Sequence, residues 1–146
     1  FNSTATYANS YTGNWDKIFT FNCGGSDRSP GVWRYPSQRY IHWRYDPSNS
    51  GCDFGNIGGG DFALNTWYYV GVTKNRGSTV QYVNGVSVGT GSVSDPKTSG
   101  NANMYFFEGH TAGDITNMGN CHIYDRVLSA EEVLNNYNAI RGRFGG

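Results

Sequence analysis

Between Val32 and Asp46 the chain sets Trp33, Tyr35, Tyr40, Trp43 and Tyr45 among Arg34, Arg39, His42 and Arg44. Aromatic rings stack on the apolar face of a pyranose, and neighbouring Arg, Asn or Asp groups bond its hydroxyls or carboxylates. Trp33, Tyr35, Tyr40 and Arg39 lie next to turns and, with Asn56 in the following loop, are the candidate carbohydrate contacts. Ile41 and Trp43 read as core. Acid–base catalysis has little to work with. The only glutamates are Glu108, Glu131 and Glu132, and the last two belong to a helix start. Glu108 with His110 is the one acid/base pair on offer, so a non-catalytic role is expected.

These residues must be held by strands. Trp33, Tyr35, Ile41, Trp43 and Tyr45 alternate with Arg34, His42 and Arg44, which predicts two strands broken at Pro36-Ser37, each with one aromatic and one cationic-polar face. Lys17 to Cys23 predicts an earlier strand with Phe19 and Phe21 inward. The middle of the chain predicts a three-stranded meander over Trp67–Thr73, Thr79–Val83 and Val86–Val88. Asn84-Gly85 between two β-branched runs is a strong hairpin signal, because a type I′ turn needs positive φ at both central residues. Residues 46–60, with three consecutive glycines, predict a long loop, and loops of that length are often functional. Met104–Glu108 and Met118–Val127 predict two more strands, the last with Cys121, Ile123 and Val127 on one face. Ser129-Ala130-Glu131-Glu132 has the form of a capping box. Val133, Leu134, Tyr137 and Ile140 follow at helical spacing, and Gly142 is the expected stop.

Composition narrows the class. A length of 146 residues suits one domain, spanning 1–146, with a substantial core. Zero formal net charge and a pI near 7.0 argue against a nucleic-acid or anionic-membrane partner. With 21 Gly, 16% aromatic and 15% charged residues, the chain reads as many short strands joined by turns. No apolar run approaches the roughly 20 residues a membrane-spanning helix needs. The start lacks a basic and then apolar leader, so the chain reads as a processed product or one domain of a longer protein. Cys23, Cys52 and Cys121 are odd in number. A Cys23–Cys52 bridge is conceivable, and free thiols are the alternative.

The second half resembles a known superfamily. Trp67, Val70, Val72 and Thr73, then Tyr82-Val83-Asn84-Gly85, then Gly113, Ile115 and Asn117, then Ile123-Tyr124-Asp125-Arg126, Leu128, Ser129 and Glu132 are similar to the motifs of laminin G-like, concanavalin A-like lectin/glucanase domains. The resemblance covers roughly residues 62–140 and implies an all-β jelly-roll sandwich of two antiparallel sheets with one short C-terminal helix. These motifs specify the fold. Asp125 and Arg126 read as a local ion pair at the strand-to-helix corner. Relatives with glucanase or alginate-lyase activity carry carboxylate or Arg, Gln, His and Lys patterns that are missing here. Many laminin G-like domains bind calcium at one rim with loop oxygens, which makes Asp46, Asp53, Asp114 and Asn117 the candidate ligands. The resemblance therefore implies a glycan-binding or adhesion module outside the cell, at its surface or on a virion such as a phage fibre. Expected partners are glycans or cell-surface polysaccharide. The alternative is a structural appendage that binds only protein neighbours.

Overall fold

The hairpin predicted at Asn84-Gly85 forms, with φ of 49° and 79° at the two central residues. It joins β7 (Ser78–Val83) to β8 (Val86–Ser92), and β6 (Val70–Asn75) completes a three-stranded antiparallel sheet in the order β6-β7-β8. The computed structural model describes residues 2–3, 16–23, 30–35, 38–45, 51–93, 102–106 and 116–145. The predicted strand from Trp67 starts three residues later. Tyr69 is tied to Asn84 instead, donating its N–H to Asn84 Oδ1 (3.0 Å) while its carbonyl accepts from the Asn84 N–H (2.8 Å).

The second sheet holds β2 (Asp16–Cys23), β3 (Gly31–Arg34), β4 (Ile41–Arg44), β5 (Gly51–Phe54) and β9 (Ala102–Phe106), in the order β5-β4-β3-β2-β9. All of its pairings are antiparallel. Strand β1 (Asn2–Ser3) pairs with β10 (Thr116–Asn117). Strand β5 lies inside the segment expected to be a loop. Its Gly, Cys and Asp have poor strand propensity, and pairing along β4 overrides it.

The core sits between the two larger sheets, where Ile18, Ile41, Trp43 and Phe54 meet Val83, Val93, Phe62 and Tyr68. Two expectations about faces change. In β2 a bulge between Lys17 and Phe19 sets both Ile18 and Phe19 against Val32, and Ile18 becomes the deeper residue at 6% exposure. In the β3–β4 hairpin the register pairs odd with even numbers, Trp33 with His42 and Val32 with Trp43. Directly opposed residues share a face. Trp33 therefore lies on the face opposite Trp43, and one strand's aromatic face coincides with the other's cationic face.

Helix α1 (Ala130–Ile140) packs on the outer side of the three-stranded sheet through Val133, which joins Leu128 of the preceding segment against Tyr82, with Tyr69 and Val80 alongside. Its capping box is complete: Glu132 N–H donates to Ser129 Oγ (3.2 Å) and Ser129 N–H to Glu132 Oε2 (2.8 Å). Arg126 pairs with Glu132 through two bonds of 2.7 and 2.9 Å, in place of the expected pairing with Asp125. That guanidinium, then the Ser129 N–H, hold the Glu132 carboxyl down at about 2. A 3₁₀ turn, Arg141–Arg143, follows the helix.

The strand expected over 118–127 is not made. Only Thr116–Asn117 pair, and Ile123 (59% exposed) and Val127 (44%) lie open. Side chains draw this segment toward the helix: Asn136 Nδ2 donates to Tyr124 Oη (3.1 Å) and Arg126 reaches Glu132. Cys52 is a free thiol, so no Cys23–Cys52 bridge forms, and Cys121 is also free.

Candidate functional site

A cleft of about 410 Å³ opens where β5, the edge of the five-stranded sheet, runs beside β8, the edge of the three-stranded one. Its floor is set by β7 and β8. The register places Thr79 opposite Gly91 and Gln81 opposite Gly89, and Thr79 and Gln81 are both 2% exposed. Gln81 Nε2 donates to Thr79 Oγ1 (3.0 Å), which lies 3.5 Å from Cys52 Sγ. A β-carbon on Gly91 would fall 2.6 Å from Cys52 Sγ. The missing side chain is what lets the two sheet edges approach.

The wall comes from Tyr40 and from the loop after β5. Asn56 N–H donates to the Gly60 carbonyl (2.7 Å) and Gly59 N–H to the Asn56 carbonyl (2.9 Å), with Gly58 and Gly59 at φ of 85° and 83°. Tyr40 Oη donates to the Gly59 carbonyl, which pins the ring beside this turn. Asn56 Oδ1 accepts from the Ile57 N–H (2.8 Å) and Nδ2 points at Tyr68 Oη (3.4 Å). A carboxamide has two donors and two acceptor lone pairs, so Asn56 retains capacity for a ligand. Thr90 and Ser92 are exposed at the β8 rim, but they pair with Val80 and Ser78 and so lie on the sheet face opposite Gln81.

The proposed carbohydrate contacts separate in space. Tyr40 and Asn56 line this cleft. Arg39 braces the chain beside it, with Nε donating to the Phe62 carbonyl (2.6 Å) and Nη2 3.3 Å from Asp61 Oδ2. Trp33 is 5% exposed, and its indole fills the space a Gly31 side chain would take. It cannot offer a face to a sugar, which corrects the expectation. Tyr35 is half-buried, 6.4 Å from the His42 ring. The proposed calcium ligands do not assemble among the described residues. Asp53 lines the cleft, but its Oδ1 is bonded to His42 Nδ1. Asn117 is exposed in β10, while Asp46 and Asp114 lie outside the described residues, as do Glu108 and His110. No group of three or more His, Cys, Asp or Glu residues gathers among the described residues in a way that could hold a metal.

Gln81 and the β8 edge at Gly89 and Gly91 were not singled out by the sequence. The signal that could have found them is Gly89-Thr90-Gly91 inside a strand, since interior glycines mark a close backbone or ligand approach.

The family model of the concanavalin A-like lectin/glucanases superfamily, Laminin_G_3, matches residues 6–134. The chain belongs to this superfamily. The match agrees with the two antiparallel sheets and the short C-terminal helix, an arrangement consistent with a jelly-roll sandwich. No curated protein matches the chain. Among solved structures, an S-layer domain-containing protein from Clostridium thermocellum (residues 221–444) is similar at 21% identity and a TM-score of 0.42, over 91% of this chain and 67% of that one. Among the described residues, no helix of this superfamily member is long and apolar enough to cross a membrane.

Proposed function

We propose that this superfamily member is a non-catalytic glycan-binding and adhesion module, displayed at a cell or virion surface, and that it binds through the β5–β8 cleft. The observation that carries the reading is the convergence of Tyr40, Asn56 and Gln81 on one cleft between two sheet edges. Its volume lies toward the low end of the roughly 300–1,000 Å³ usual for ligand pockets. An aromatic ring beside fixed carboxamides and hydroxyls suits a sugar, whose ring offers apolar C–H faces between directional hydroxyls. A glycan array probed with the wild-type chain and with Asn56→Ala tests this. Binding that falls away in the variant supports the cleft, and an array without hits removes the reading.

A second reading rests on a different surface. Ile123, Tyr124, Val127 and Leu134 are 40–59% exposed beside a groove of about 950 Å³. Exposed apolar groups gathered in this way favour a protein neighbour, as in a structural appendage of a larger assembly. Light scattering against concentration tests it. Self-association that disappears in Ile123→Ser supports an assembly role, and a monomer throughout removes self-assembly.

A further inference from the structure

We infer that the β5–β8 cleft selects uncharged sugar units and rejects uronate- or sulfate-bearing ones. This rests on the glycan-binding reading above and narrows its ligand class. Recognition of a carboxylate or sulfate on a glycan calls for a cation, most often the fork of an arginine. None of the described residues lining the cleft is Lys, Arg or His. The one carboxylate at its wall is Asp53, whose side chain is 44% exposed and held in place by His42. Arg39, the cation that the sequence offered for the purpose, is bonded to the Phe62 carbonyl and paired with Asp61. An anionic sugar entering here would meet the Asp53 carboxylate with no compensating charge among the described lining residues.

What the cleft does present is neutral and directional. Gln81 is 2% exposed and its carboxamide is aligned by Thr79, so it is fixed before any ligand arrives. Asn56 is likewise oriented by Ile57 and Tyr68. Strand β8 adds the backbone groups of a sheet edge. Pre-set neutral donors and acceptors match the hydroxyls of an unsubstituted pyranose, and the cost of ordering them on binding is small.

The test uses the whole chain and matched glycan pairs, each neutral oligosaccharide alongside its uronate- or sulfate-bearing counterpart, with Kd measured for each. Neutral members are expected to bind at least about tenfold more tightly than their anionic partners. Asp53→Asn, which removes the one carboxylate among the described lining residues, narrows that gap. Tyr40→Ala and Asn56→Ala, both at the wall, weaken neutral binding by about tenfold or more. Anionic members binding as tightly as or more tightly than neutral ones would overturn the selectivity and leave the glycan-binding reading standing. No binding by either class would overturn both. Neutral binding untouched by Tyr40→Ala and Asn56→Ala would place the ligand elsewhere and overturn the cleft assignment.

Discussion

Gly85→Ala is expected to unseat helix α1 from the sheet it covers. Gly85 has φ of 79°, and a β-carbon there would lie 2.8 Å from Leu134 Cδ1, 3.1 Å from Leu134 Cα and 3.4 Å from Tyr137 Cβ. Two costs add. A left-handed backbone costs an L-residue about 1–2 kcal/mol, and forcing a methyl into packed groups costs about 1–3 kcal/mol. The sum, about 2–5 kcal/mol, corresponds to a fall in Tm of roughly 6–15 °C for a domain of this size. Leu134 Cδ1 can swing aside, but the helix Cα cannot, so the whole helix must shift. Urea unfolding followed by circular dichroism reads the change as a lower midpoint at unchanged slope. Gly59→Ala separates the two costs, because Gly59 has φ of 83° and nothing within 4 Å of the added methyl. It should lose only the backbone contribution, about 1–2 kcal/mol. Leu134→Ala in the Gly85→Ala background should return part of the loss, since Leu134 is 40% exposed and contributes little alone. A Gly85→Ala loss no larger than that of Gly59→Ala would refute the seating of the helix on this turn.

Thr20→Val should raise stability by about 1 kcal/mol in the same unfolding assay, because Thr20 is fully buried and its Oγ1 has no hydrogen-bond partner among the described residues; a loss of stability would mean that the hydroxyl is satisfied. The Glu132 carboxyl is depressed to about 2 in the folded chain, so its contribution is complete above the ordinary glutamate range and is lost as pH falls through the folded value. The acid limb of a helix-content titration should therefore flatten in Glu132→Gln, and an unchanged limb would remove Glu132 from the acid response. Asp53 is bonded to His42, so any calcium-dependent rise in Tm relative to EDTA should survive Asp53→Asn. Loss of that rise in the variant would restore Asp53 as a calcium ligand.

Several features were set by local chemistry and could be read directly. The Asn84-Gly85 turn forms because few residue pairs accept positive φ twice, and the Ser129–Glu132 box forms because both partners lie within one turn of the helix. Such signals need no distant partner. The superfamily motifs between Trp67 and Glu132 name the fold for the same reason, since they mark turns and corners. Other features depended on residues far apart in the chain. Strand β5 emerges from a glycine-rich stretch only because β4 supplies its hydrogen bonds. Alternation assigned Trp33 and Trp43 to faces within their own strands. The hairpin register then set the two strands' aromatic faces on opposite sides of the sheet and buried Trp33. The cleft is a contact between β5 and β8 across the sandwich, so its floor residue Gln81 and wall residue Asn56 gave no joint signal along the sequence. The sequence determined turns, caps and strand content through short-range sterics and hydrogen bonding. Tertiary pairing decided which aromatics were spent in packing and which polar groups line the cleft.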